Sequence, residues 1–315
     1  MLARIAHELF WLGRYVARAE HTARMLDGVF QTDLAGSAED PRGVELTWPG
    51  LLAILGARVE GPYVGRDEAL AQLTLDLDEP ASLISCVSRA REGARTVRDV
   101  ISADMWEVIN TTHLVLQRND LSGHLLSSPY SVYRYVKERS ALFWGLTGRT
   151  MLRDEANSFL AGGGRIESAD MVLRMLRVAL PVHGDDLPRT GQAQALLQAV
   201  GGLQAFRRAV PAPPNAIPAA RFLLYDRTYP DSVAASVASA LRSLEEADPS
   251  PRNSAPVLRL SRLSAELEFR RRGDDPSTDL VAVCEQVQRE LALVDADIAG
   301  RYFATAASPT TAGAR

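Results

Sequence analysis

Rows of arginine at helical spacing are the residues of this chain best suited to chemistry. Arg91, Arg95, Arg98, Ser102, Trp106 and Asn110 follow one another at intervals of four, three, four, four and four. On a continuous helix they form one stripe of three guanidiniums, a hydroxyl, an indole and an amide, with Glu92 beside it. A second row, Arg14, Arg18 and His21, shares one face of an N-terminal helix, where Glu20 and Arg24 stand as an i,i+4 pair. Guanidiniums in such rows can clamp a carboxylate or a phosphate through paired N–H donors. Like charges this close repel unless acidic groups or an anionic ligand lie opposite, and Glu20, Glu167 and Asp170 are the natural carboxylates. Two readings stay open: an ion-pair network that knits helices together, and a site for an anion or a peptide terminus.

Other chemistries find no motif. His7-Glu8 is followed by Trp11 where a zinc-peptidase helix would carry its second histidine. His113 and His124 flank a loop with no acidic or cysteine partner at ligand spacing, and read as ordinary polar positions. Gly162-Gly163-Gly164 has no strand before it, as a nucleotide-binding loop requires, and no nucleophile elbow is present. All but one of the 35 basic residues are arginine; Lys137, in mid-helix and far from any glycine loop, is the sole candidate for a Schiff base. Cys86 and Cys284 fall in apolar helical patterns, as buried thiols in a reducing cytoplasm do. Trp11, Trp48, Trp106 and Trp144 read as core or interface anchors. A net charge of −4 offers no general attraction to nucleic acid or anionic lipid. Neither a cofactor nor a metal is expected.

The elements that must position the arginines are helices. Leu2, Ile5, Leu9, Leu12, Val16, Ala19, Ala23 and Leu26 recur every three or four residues, which predicts an amphipathic helix over residues 1–32. Met151, Leu152, Ala156, Ala169, Arg174, Met175 and Leu176 repeat Met1, Leu2, Ala6, Ala19, Arg24, Met25 and Leu26 at a single offset of 150, and Pro230, Ser232, Val237 and Ala240 repeat Pro80, Ser82, Val87 and Ala90 at the same offset. A shared register across distant segments implies tandem duplication: a first helical unit over 1–150, a second over 151–305 packed on it, and a disordered tail over 306–315. Short helices are expected at 50–58 and 66–76, after a loop at 36–49. A long helix should open at Pro80, in its first turn, and run to about His113. Helical periodicity resumes at Ser131 through Leu160, breaks at the three glycines, and continues over 165–180. Loops at 181–188 and 211–218, then helices at 230–247, 257–271 and 277–304, complete an all-α fold. No run of about 18 apolar residues exists, so no membrane span is expected.

The segments MLARIAHELFWLGRYVARAEHTARMLD, DEPASLISCVSRAREGARTVRDVISADMWEVIN, TMLRDEANSFL and RFLLYDRTYPDSV together resemble the alpha-E family of bacterial proteins, over nearly the whole chain. The matching positions are Gly13, Arg14, Arg18, Ala19, Glu20 and Arg24; Arg91, Glu92, Ala94, Arg95, Arg98, Ile101, Ser102, Met105, Trp106, Glu107 and Asn110; and Arg165, Glu167, Ala169, Asp170 and Arg174. Gly93, Ser168 and Asp231 depart from the family's usual Asn, Arg and Arg. The resemblance implies an all-helical protein encoded beside, or fused to, a circularly permuted ATP-grasp ligase, in a setting of peptide or amide formation. The expected function is therefore that of a cytoplasmic accessory subunit, binding the ligase or its peptide substrate through an Arg/Glu-lined site between helices. Two rivals remain: an acyl- or aminoacyl-transfer enzyme using Glu20 or Asp170 as base, and a generic helical adaptor.

Overall fold

The computed structural model describes residues 1–34, 47–59, 65–117, 128–179, 190–273 and 279–304. Among the described residues there are thirteen α-helices and no strand. The first six are α1 (Ala3–Leu34), α2 (Trp48–Leu55), α3 (Arg66–Leu75), α4 (Leu83–Thr96), α5 (Ala103–Leu116) and α6 (Pro129–Thr150). Then come α7 (Glu155–Ala179), α8 (Thr190–Val200), α9 (Leu203–Ala209), α10 (Ala216–Tyr225), α11 (Val233–Ala247), α12 (Ala255–Gly273) and α13 (Leu280–Ile298), which ends in a π turn over Ala299–Phe303. The expected tail, the loop at 181–188, most of the loop at 36–49 and His124 lie outside the described residues.

Helices α1 and α7 form the centre. α1 packs against α4, α6, α7 and α8, and α7 packs against α1, α11 and α13. Leu9, Leu12, Ala19, Ala23 and Leu26, the inward stripe of α1, are fully or almost fully buried, in one apolar cluster that runs from Ala6 to Phe303.

Two glycines, Gly13 on α1 and Gly163 on α7, decide how close the two central helices come. The sequence predicts a break at Gly162-Gly163-Gly164, whereas α7 runs through them without interruption. A Cβ on Gly163 would stand 2.1 Å from the carbonyl oxygen of Phe10, one on Gly13 would stand 2.0 Å from that of Leu160, and one on Gly164 would stand 2.6 Å from the Trp144 ring. The residues poor in helix propensity are contact surfaces themselves, so close packing of Gly163 on the α1 backbone and of Gly164 on the Trp144 ring offsets part of the roughly 3 kcal/mol that three glycines cost a helix interior.

Two other expectations change at helix ends. The helix expected to run through Leu160 stops at Thr150, and α7 starts at Glu155, five residues later, with the Asp154 carboxylate accepting from the Ala156 and Asn157 amides at 3.1 and 3.2 Å. The single helix expected from Pro80 to about His113 is divided: α4 ends at Thr96, a turn follows, and Ser102 caps α5 by accepting from Met105 N at 3.2 Å. Ser102 thus offers the backbone a new start, and α5 folds back to pack on α4 and α6. Pro80 lies before the helix and not in its first turn, because Ser82 is the cap.

The caps of α4 and α11 are matched. Ser82 accepts from Ser85 N and donates to the Asp76 carbonyl, and Ser232 accepts from Ala235 N and donates to the Asp226 carbonyl. Cys86 and Ser236, at the same offset, reach back to the carbonyls of Pro80 and Pro230. Over 190–225 the structure holds α8, α9 and α10; α10 begins at Ala216, inside the proline-dense stretch expected as a loop.

Candidate functional site

At the crossing of α1 and α7, one turn beyond the glycine contact, a carboxylate sits between two guanidiniums. Glu167 is 0% exposed. Its Oε2 accepts from Arg14 Nε at 2.7 Å and its Oε1 from Arg18 Nε at 2.5 Å. Arg14, 5% exposed, also donates from Nη1 to Asp295 Oδ2 of α13 at 2.6 Å and stacks on the Trp11 ring at 5.1 Å. Four residues apart on α1, the two arginines reach the same partner because the i,i+4 row faces α7. Close packing at Gly13 and Gly163 sets the depth of the crossing.

Burial alone would raise the Glu167 carboxyl, yet the pull of Arg14 and Arg18 takes it down to about 2. Burial likewise acts to lower Arg14 and Arg18, and their attraction to Glu167 overrides it, so both are raised. Asp295 is different: burial outweighs the help of Arg14, and the carboxyl is raised. Its Oδ1 is buried without a hydrogen-bond partner. The centre is therefore a charge-satisfied clamp with one carboxyl at its edge held through a single oxygen. Glu167 has no proton to give and little basicity at neutral pH, so it suits binding or support and not acid–base work.

The second half of α1 continues the pattern. His21 Nε2 meets Ser168 Oγ at 3.1 Å, Glu20 pairs with Arg24 at 2.7 Å, and Asp170 pairs with Arg174 at 2.7 Å while accepting from Gln288 at 2.9 Å. Arg165 reaches the Pro230 carbonyl at 3.3 Å and Asp231 at 3.4 Å, both long.

The Arg91 to Asn110 stripe is assembled differently from its prediction. Since the helix breaks after Thr96, the residues meet across the α4–α5 hairpin and not along one face. Arg91 Nε donates to Asn110 Oδ1 at 2.8 Å, and Arg91 and Arg98 lie over the Trp106 ring at 5.6 and 4.8 Å. The carboxylate opposite them is Glu92, bound to Arg91 and Arg95 at 2.8 Å each; Glu20, Glu167 and Asp170 are paired elsewhere. Ser102 serves as a helix cap and accepts from Thr150 Oγ1 at 3.0 Å. His113 is buried in α5 against Ser88 at 3.2 Å, not a polar loop position. The structure thus makes two clusters of the predicted residues, a buried one on α1 and α7 and a superficial one on α4 and α5.

Sequence reasoning missed Asp295, Gln288 and the stacking role of Trp11. No spacing links Asp295 to an arginine 281 positions away. Lys137 pairs with Asp27 at 2.6 Å. Cys86 and Cys284 are buried free thiols, both pushed up by burial to about 12. Of the tryptophans, Trp48 is buried and Trp11, Trp106 and Trp144 pack half-buried against the core. Among the described residues no group of three or more His, Cys, Asp or Glu is placed to hold a metal, and no helix is long and apolar enough to cross a membrane.

Clefts open beside the buried centre. One of about 600 Å³ is walled by Trp11, Arg14, Asp295 and Phe303, with His7 and Glu8 at its side. Another, of about 440 Å³, lies between α1, α6 and α7.

Fold and site together define an all-helical protein whose central helices are joined through a buried Glu–Arg partnership. The chain belongs to the Alpha-E family, described as "a predicted alpha-helical domain with a conserved ER motif", whose model matches residues 1–303. In this chain Glu is followed directly by Arg at Glu138-Arg139 on α6, and Arg by Glu at Arg91-Glu92 and Arg289-Glu290, while the buried Glu–Arg contacts are built from two helices. It is similar to uncharacterised proteins of Mycobacterium bovis and Mycobacterium tuberculosis, each 25% identical over 307 residues, 92% of this chain and 34% of theirs. The chain thus spans about a third of the length of these relatives. No solved structure matches it.

Proposed function

We propose that this chain is a helical partner module of an ATP-grasp-type amide ligase, binding the ligase or its peptide substrate in the cytoplasm. The observation that carries the reading is the length of the relatives: the module covers 34% of their chains, so there it is joined to a much larger partner sequence. That arrangement fits the family resemblance, in which such modules are encoded beside or fused to a ligase. The buried centre supports a binding and scaffolding role, because Glu167, Arg14 and Arg18 satisfy one another. We also infer that the halves 1–150 and 151–305 are copies of one unit, a reading supported by the matched caps at Ser82 and Ser232.

The test is reconstitution. The module should copurify with the ligase encoded next to it, and amide product formed from ATP and amino acids should fall when the module is omitted. Ligase output that is the same with and without the module, together with no copurification, overturns the proposal. A second reading, an enzyme in its own right, is favoured by one observation: Asp295, raised by burial, lines the 600 Å³ cleft with one oxygen unbound. It replaces Glu20 and Asp170 as the candidate base because burial raises its carboxyl, even though its other oxygen is paired with Arg14. Turnover by the isolated chain that is lost in Asp295→Asn, with folding intact, would establish it.

A further inference from the structure

The cleft of about 440 Å³ between α1, α6 and α7 carries an arrangement of charge that the buried centre does not use. Glu20, Arg165 and Asp231 line it, together with His21, Ser168 and the Trp144 ring. Its volume lies in the range of small-molecule sites. Arg24 occupies only Oε1 of Glu20. Arg165 uses Nη1 for both of its hydrogen bonds, at 3.3 and 3.4 Å, distances that a stronger acceptor would displace. His21, 4% exposed, spends Nε2 on Ser168 and leaves Nδ1 buried without a hydrogen-bond partner. Spare capacity at a carboxylate and a guanidinium in one cleft is what a ligand with its own charges would complete.

Two carboxylates and one guanidinium face the same space. A simple anion would meet repulsion from Glu20 and Asp231, and a simple cation would compete for Asp231 and leave Arg165 with only its long contact to the Pro230 carbonyl. A zwitterion answers both. We propose that this cleft binds a short peptide or amino acid as its zwitterion, with Glu20 and Asp231 receiving the ammonium, Arg165 the carboxylate, and Trp144 the apolar side chain. The proposal names a ligand for the ligase-partner reading and rests on it only for its biological purpose. Binding by the isolated chain and copurification with the ligase are separate measurements, and either can fail alone.

The experiment is calorimetric titration of the full chain with alanyl-leucine, its N-acetyl derivative and its C-terminal amide. The free dipeptide should bind, and each cap should weaken binding by about tenfold or more, the loss of a charge-assisted hydrogen bond. Arg165→Gln should bring the free dipeptide down to the affinity of the amide while still rejecting the acetylated form. Gly148→Leu supplies the folding-neutral control: Gly148 lines the cleft, and a Cβ there meets nothing within 4 Å. Its melting temperature should be kept and its binding lost. Absence of binding by the free dipeptide, equal affinity for the capped forms, or unchanged binding in a folded Gly148→Leu protein would each overturn the proposal.

Discussion

The two arginine clusters of this molecule use the same residue types to opposite ends. Where α1 crosses α7, Arg14 is removed from water, Arg18 keeps only 21% of its side chain exposed, and together they hold both oxygens of one buried carboxylate, so the pairing dictates how the helices lie. On the α4–α5 hairpin, Arg95 is 64% exposed, shares Glu92 with Arg91, and has solvent as an alternative partner. A buried guanidinium must have a dedicated carboxylate, because nothing else there can solvate it. An exposed one gains little from its partner and remains available to another surface. Burial and not residue type separates the clamp from the patch.

The sharpest way to break this contrast is to remove the shared carboxylate. Glu167→Ala leaves Arg14 and Arg18 buried without Glu167 and should lower stability by about 3–5 kcal/mol, read from the midpoint of denaturant unfolding. A loss under about 1 kcal/mol, the level of an exposed pair, would show that the crossing is held by apolar packing alone. Gly163→Ala tests the contact that brings the helices to that depth. Its Cβ would meet the Phe10 carbonyl at 2.1 Å, so the helices must separate, and a loss of about 1–3 kcal/mol is expected despite alanine's better helix propensity. A neutral or stabilising outcome would mean that the clamp tolerates a wider crossing.

Acid separates the two carboxylates that meet Arg14 by sign. Glu167 titrates at about 2 in the folded chain against 4.5 for an ordinary glutamate, so protons bind the unfolded chain more readily. Its stabilising contribution is complete above about 4.5 and is lost as pH falls toward 2. Asp295, raised by burial, works in the other direction, since its ionisation disfavours the fold as pH climbs through its folded value. Stability measured in this acid window should fall more steeply for the native chain than for Glu167→Gln. Identical slopes would remove Glu167 from the acid response.

Periodic features are legible in the sequence, and compensating ones are not. The apolar stripe of α1 and the arginine row beside it follow from spacing, and both face the centre. The glycine run misleads because propensity is local, whereas the benefit of Gly163 lies in Phe10 of another helix. The Arg91 to Asn110 stripe has helical spacing throughout, but the first helix ends at Thr96 and Ser102 acts as the cap of the next, so it becomes a hairpin. Asp295 and the cleft at Glu20, Arg165 and Asp231 are invisible as groupings, since they depend on how distant helices are arranged in space. The carboxylates expected opposite the exposed arginines are wrong for the same reason: Glu92 is next in sequence and wins by proximity.

The smallest expected effect completes the contrast. Arg95→Ala should change stability by no more than about 0.5 kcal/mol, since its ion pair is exposed and screened. Arg98→Ala should cost slightly more, about 0.5–1 kcal/mol, because the guanidinium also covers the Trp106 ring. Double-mutant cycles turn the comparison into numbers: coupling of Arg95 to Glu92 should stay below about 1 kcal/mol, while that of Arg18 to Glu167 should exceed it clearly. Equal couplings would mean that the α4–α5 arginines are bound into the fold as firmly as the buried pair. They could then no longer be regarded as a surface left free for a partner.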